Sequence, residues 1–351
     1  MLVWHGTQEK YQNFDKLAGR FVSEFGMEAF PNIETIDGFL PKGKDDPDRY
    51  PQSSTLDFHN KADGHERRIA LYLVENMQYK FDPIEQYVYC TQLMQAECLA
   101  SAYRLWKRQW KGPGREYCAG ALVWQINDCW PVTSWAIVDH YLRPKHAYYT
   151  VKREMAPVTI GLKRTTEQKF ADKYTAAYST TKHRIEMWAS NLTLENKSVA
   201  VQIKAWDVVT GRETYSKKLC EGFCLEQNRS TEITEFDVPV ESDNGEDRVV
   251  VAVYLIENGK QVARYVNWPE PLKYAHLQKP QELRVTLAED GQTVALSAEI
   301  PVKGVAVYSA KEGVFFADNC VDLVPGETVY IGVKGLEKGD NDKLSLRYLG
   351  L

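Results

Sequence analysis

Apolar and polar residues follow one another in two different rhythms along this chain, and the change falls near residue 157. Before it, helix-like and strand-like stretches take turns, separated by long irregular loops. Gly19-Arg-Phe-Val-Ser-Glu-Phe-Gly26 reads as a short apolar strand closed by glycine. A loop rich in Pro, Gly and Asp follows from Met27 to about Gly64, and loops of that length inside a compact domain usually carry function. A helix is predicted from about His65 to Tyr79. The next starts at Asp82, with Asp82 as N-cap, Pro83 as first helical residue and Glu85 completing a capping box. Its apolar residues Tyr87, Cys90, Leu93, Met94, Leu99 and Leu105 recur at helical spacing, and Gly112-Pro113-Gly114 stops it after Trp110. A second buried strand, Ala119 to Gln125, leads into an aromatic loop, Asn127 to His140. Pro144 opens the last helix, which runs to about Glu154.

Strand, long loop, helix, strand, long loop, helix is the order of a β/α barrel. A closed barrel of this kind needs eight strands, whereas two are present, so the sequence is expected to start inside one. Beyond residue 157 short strands and turns take over. Arg184 to Ser190, Ser198 to Trp206, Glu213 to Lys217, Arg248 to Ile256 and Gln261 to Val266 read as strands, the last pair joined by an Asn-Gly turn at Asn258 and Gly259. Trp268-Pro-Glu-Pro271 breaks the run. Glu282 to Leu287, Thr293 to Ile300, Val305 to Ser309, Thr328 to Val333 and Lys343 to Tyr348 then repeat the texture. The expected architecture is the C-terminal part of a (β/α)8 TIM barrel over residues 1–156, followed by two immunoglobulin-like β-sandwiches over 157–270 and 271–351.

Composition narrows the function classes. Lys+Arg 43 against Asp+Glu 48 leaves a formal net charge of -5, which argues against nucleic acid or an anionic membrane as the main partner. The longest apolar stretches are strand-sized, far short of a membrane span. Nine Trp and 20 Tyr are core fillers first, and flat rings also stack on the C–H faces of sugars, which tilts the reading mildly to carbohydrate. The 7 Cys are odd in number and show no disulfide framework, so reduced thiols and a cytoplasmic location are expected. Three glycosylation tripeptides, at Asn191, Asn196 and Asn228, point the other way and are common by chance. His5, His65, His140 and His146 show no metal-ligand spacing, and neither metal nor cofactor is expected.

Glu24 is the leading catalytic candidate. Strict alternation puts Val22, Glu24 and Gly26 on one face and Phe21, Ser23 and Phe25 on the other. A carboxylate at the C-terminal end of a barrel strand stands where barrel enzymes place catalytic groups, while a structural Glu paired with a buried Arg is the competing reading. Trp124, Asn127, Asp128 and Trp130, at the end of the second strand, offer a sugar platform with hydrogen-bonding rims; packing between barrel and sandwich is the alternative. Trp124 is assigned to the site and Trp135 to packing. His59, Asn60 and Lys61 could reach a substrate from the rim, or form a solvated polar loop.

Arg20-Phe-Val-Ser-Glu-Phe-Gly-Met27 together with Trp124-Gln-Ile-Asn-Asp-Cys-Trp-Pro131 resembles the β-mannosidases of glycoside hydrolase family 2. Ser134-Trp-Ala-Ile-Val-Asp139, Arg143-Pro-Lys145, Tyr148-Tyr149, Trp4-His-Gly6 and Asn267-Trp-Pro-Glu-Pro271 extend the likeness over essentially the whole chain. The resemblance implies a retaining mechanism with two carboxyl groups about 5–5.5 Å apart. It makes Glu24 the nucleophile at the end of barrel strand seven, and Trp124 a wall of the pocket for a terminal non-reducing mannose. The substrate implied is a β-mannoside oligosaccharide. In the family, the acid/base is a Glu directly after an Asn on an earlier strand, and no Asn-Glu dipeptide occurs here. The chain is therefore expected to hold half of a catalytic pair and to be inactive alone, with its barrel part in need of further strands and its sandwiches able to fold unaided. A sugar-binding protein without catalysis, a pair of structural sandwich modules, and β-galactosidase or β-glucuronidase relatives are the competing readings.

Overall fold

The computed structural model describes residues 8–62, 64–170, 174, 179–238 and 248–350. Trp4-His-Gly6 lies outside them. The first region contains strand β1 (Val22–Phe25), helices α1 (Ile33–Phe39), α2 (Ser54–Phe58), α3 (His65–Asn76) and α4 (Ile84–Lys107), strand β2 (Ala121–Val123) and helix α5 (His146–Glu154). β1 and β2 pair in parallel. The segment expected to be a long loop is therefore part helical. Ser53 starts α2 by accepting a hydrogen bond from Leu56 N at 3.2 Å, an N-cap that the loop-like composition concealed.

α4 organises this region. Twenty of its 24 residues are buried, so it is enclosed on all sides instead of presenting one apolar stripe. Its start departs from expectation: Pro83 is the extended N-cap and no side chain caps the helix. Glu85, assigned to a capping box, is instead bound by Arg49 at 2.7 Å, a charged partner that outcompetes a local backbone N–H.

Seven strands follow: β3 (Val158–Phe170), β4 (Ser179–Asn191), β5 (Lys197–Asp207), β6 (Glu213–Leu225), β7 (Arg229–Asp237), β8 (Val249–Glu257) and β9 (Lys260–Asn267). They form a three-stranded sheet, β3-β4-β7, facing a four-stranded one, β6-β5-β8-β9. Their inner faces make an aliphatic core: Ile160, Leu162, Ile185 and Met187 from one sheet, Val201, Ile203, Val251 and Val253 from the other. β3 and β7 escaped sequence reading because Lys, Arg, Thr and Glu dominate both, as expected of strands with one solvated face.

β10 (Leu283–Leu287), β11 (Thr293–Ala298), β12 (Val302–Ser309), β13 (Phe315–Phe316), β14 (Val321–Leu323), β15 (Val329–Lys334) and β16 (Leu344–Arg347) build the last region. The sheets β10-β11-β15-β13 and β14-β12-β16 close over Val294, Leu296, Val305, Val307 and Ile331.

The three regions share one further core. It runs from Tyr11, Phe25 and α4 to Trp188, Trp206, Val250, Ala252, Trp268, Ala306 and Leu349. β8 explains how: Val251 and Val253 face its own sandwich, while Val250 and Ala252 on the other side face the shared core, so the whole strand reads as apolar. Polar ties cross the same seam, including Tyr89 OH donating to Gly304 O (2.8 Å), Glu97 with Lys303 (2.7 Å) and Arg108 with Glu186 (2.6 Å). Each sandwich gives part of its apolar surface to the shared core besides enclosing a core of its own. Asn191, a glycosylation candidate, is fully buried and its amide donates to Glu195 O (2.8 Å) and Leu225 O (3.0 Å), so a glycan has no room there. No cysteine is paired in a disulfide, and Cys90, Cys98, Cys118 and Cys320 are buried.

Candidate active site

β1 does not alternate strictly. Val22 is opposite Ala121 and Phe25 opposite Val123, so three steps on β1 match two on β2. Val22 and Phe25 consequently face the same interior, while Phe21, expected beside Phe25, is 52% exposed. Phe25 packs edge-on against Tyr103 and Trp106 of α4 at 5.1 and 4.7 Å between ring centroids, which pins the strand end. Gly26 must be glycine: a Cβ there would lie 2.1 Å from Trp124 O. Trp124 N donates to Phe25 O at 2.7 Å, so Glu24 and Trp124 end adjacent parallel strands.

Glu24 is half-buried, and among the described residues no cation or donor engages its carboxylate. The competing reading, a structural glutamate held by arginine, fits Glu28 instead. Glu28 is 1% exposed and bound by Arg68; burial raises its pKa, and the Arg68 contact opposes that rise.

The second strand spreads its candidates over different depths. Trp124 is 41% exposed and its peptide bond to Gln125 is cis; Trp135 is buried. Asn127 is exposed, bridged through its backbone to Val138. Asp128 is buried, and its two oxygens accept from Gln125 Nε2 (3.0 Å) and Ser134 Oγ (2.7 Å). Both oxygens of this expected substrate ligand are thus engaged inside the loop. Trp130 is half-buried and tilted over His59 at 5.2 Å.

His59 ends α2 and lies flat on Phe39, with centroids 3.8 Å apart and planes 5° from parallel. Its Nδ1 donates to Pro131 O at 2.7 Å; a carbonyl only accepts, so Nε2 is the nitrogen left for another partner. The backbone joins the two rims directly: Thr133 N donates to His59 O (2.8 Å) and Lys61 N to Thr133 O (3.1 Å). Phe58, 74% exposed, meets Trp130 edge-on at 6.2 Å. Phe39, Phe58, His59 and Trp130 thus form an aromatic rim, of which sequence reasoning found only the last two. Phe39 and Phe58 carried no signal because one ends α1 and the other α2, two helices hidden in the presumed loop.

Buried polar residues hold these loops in place. Gln95 Nε2 donates to Met27 O (2.8 Å), Trp135 O (3.1 Å) and Ala136 O (3.2 Å), and Gln92 Nε2 to Phe30 O (3.2 Å) and Asn32 Oδ1 (2.9 Å). Thr91 Oγ1 accepts from Phe30 N at 3.2 Å. Lys145, fully buried, donates to Ala29 O at 3.1 Å; burial lowers its pKa to about 8 against the opposing pull of Asp128 and Asp139. Asp139 accepts from Thr35 Oγ1 (2.5 Å) and from the backbone of Tyr141 and Arg143 (3.0 Å each). Gln92 and Gln95, three apart among apolar residues of one helix, are the sequence signal of these ties.

Residues 183–274 match the family model described as a Mannosidase Ig/CBM-like domain, and residues 277–347 match the mannosidase Ig-fold domain. β-Mannosidase B of Thermothelomyces thermophilus is 65% identical over 99% of this chain and 41% of its own length, and that of Aspergillus terreus 46% identical over 99% and 40%. The chain therefore spans about two fifths of the curated relatives it matches. The crystal structure of a β-D-mannosidase from Dictyoglomus thermophilum superimposes with a TM-score of 0.78 at 25% identity, covering 99% of this chain and 39% of that one. An exo-chitosanase of Amycolatopsis orientalis shares the fold with a TM-score of 0.62 at 18% identity, over 93% and 41%.

Proposed function

We propose, from the premise that this chain is related along its length to the β-mannosidases of glycoside hydrolase family 2, that it carries the nucleophile half of a retaining β-mannosidase site. The observation that carries the reading is Glu24: a half-buried carboxylate, free of ion pairs among the described residues, one strand away from the exposed ring of Trp124. Buried carboxylates are normally paired, as Glu28 is, so an unpaired one at a strand end is available for chemistry.

In this reading β1 and β2 are the seventh and eighth strands of a (β/α)8 barrel whose C-terminal part is residues 1–156, and residues 157–270 and 271–351 are immunoglobulin-like sandwiches. Glu24, ionised, attacks the anomeric carbon of a terminal β-mannoside and forms a covalent mannosyl-enzyme, which water then hydrolyses. Trp124 and Trp130 stack on the sugar face, while Asn127 and His59 Nε2 offer hydrogen bonds at its edge. The proton for the departing oxygen comes from a second carboxylic acid about 5–5.5 Å from Glu24, supplied by residues beyond this sequence. The chain alone is then inactive. A cytoplasmic location belongs to the same proposal and rests on the unpaired cysteines.

Hydrolysis of a chromogenic β-mannoside tests this, using this polypeptide, a version extended toward its N-terminus, and Glu24→Gln in each. Activity confined to the extended form and lost by about 10³-fold or more in Glu24→Gln supports the proposal. Equal activity with Gln at position 24 sinks it. Mannoside binding without turnover in the extended form would favour a carbohydrate-binding protein, for which the aromatic rim alone suffices.

A further inference from the structure

Asp57, His65 and Glu66 bring one imidazole nitrogen and two carboxylate oxygens within 4.8 Å of one another. Asp57 lies on α2, and His65 and Glu66 open α3, so the cluster spans the turn that follows His59. Carboxylates that share a small space repel each other unless a cation stands between them. Among the described residues neither has a Lys or Arg at ion-pair distance, and Arg68, the nearby cation, is bound to Glu28.

His65 is the independent observation. It is only 3% exposed, yet its Nδ1 makes no hydrogen bond and points at the carboxylates, 3.4 Å from Glu66 Oε2. An imidazole buried with an idle nitrogen is costly unless that nitrogen has a partner. The carboxylates are exposed and can swing by rotamer change to the ~2.0–2.2 Å that metal–oxygen bonds require.

We propose that Asp57, His65 and Glu66 form a divalent-cation site, completed by water. One nitrogen and two carboxylate oxygens suit a transition-metal ion such as Zn²⁺ or Mn²⁺ better than Ca²⁺, which prefers an all-oxygen shell. The ion ties α2 to α3 and braces the rim that carries His59. The site is independent of the mannosidase reading and stands or falls separately.

Titration calorimetry of the chelator-treated full chain with zinc chloride tests it, alongside Asp57→Asn and Glu66→Gln, two surface changes that leave the core intact. The expected result is one zinc ion bound per chain, affinity weakened at least about tenfold in each variant, and a zinc-induced rise in Tm seen only in the unmodified chain. His65→Gln should abolish binding if it folds. No binding, or binding equally tight in both surface variants, overturns the proposal.

Discussion

The interior around α4 and the interior of the first sandwich are built from opposite materials. The sandwich core is almost wholly Val, Ile, Leu, Met and Ala. Around α4, apolar side chains are interleaved with buried Glu28, Thr91, Gln92, Gln95, Arg104, Asp128, Asp139 and Lys145. Aliphatic burial is non-directional and stabilises in proportion to area. A buried polar group contributes little net stability but is costly when unpaired, so it allows its neighbours only one arrangement. The first kind of core holds the fold together; the second sets the loops around Glu24 and Trp124.

The largest effect should come from the aliphatic side. Ile203→Ala removes a 1% exposed side chain from the sandwich centre and should cost about 2–5 kcal/mol in chemical denaturation. Hydrogen exchange should show whether the loss stays in the sandwich or spreads through β8 to α4; spreading would dissolve the contrast between the regions. Lys145 gives a comparable effect with a signature in pH. Its native pKa of about 8 lies below the ordinary 10.5, so between those values the unfolded chain binds more protons and stability rises with pH, by about 3 kcal/mol in all. Lys145→Met should flatten the rise, and an unchanged slope would place its origin elsewhere.

Gln95→Met should be milder in stability, about 1–3 kcal/mol, because it strands the carbonyls of Met27, Trp135 and Ala136. Its main sign should be faster amide exchange in residues 27–32 and 134–138, with the sandwich unaffected. Uniform destabilisation would mean that Gln95 packs like any other core residue. Smallest of all, Trp124→Ala should leave denaturation within about 0.5 kcal/mol, since the ring is 41% exposed, while weakening mannoside binding in the extended form. A large stability loss there would move Trp124 from the site to the core.

Periodicity alone located most elements. α4, β5 and β8 were legible because long apolar patterns survive errors of a residue or two at their ends. β3 and β7 were not, since strands with a wet face carry weak patterns, and α1 and α2 were too short for a period to build up. For the candidate site, Glu24 and Trp124 were readable as polar or bulky residues at strand ends. His59 is legible without the aromatic rings that support it, and Asp128 without the Gln125 and Ser134 donors that hold it.

The local code of the chain therefore determined which segments become strand or helix, and which side chains stand at the strand ends. Tertiary structure alone decided three further matters. The extra residue in β1 brings Phe25 into the core beside Val22, because pairing register depends on the partner strand and not on β1 itself. Glu28, and not Glu24, receives the arginine, because Arg68 comes from a helix some forty residues away in sequence. The shared core joins α4 to both sandwiches, because an apolar face records that it will be buried but carries no address for what will cover it.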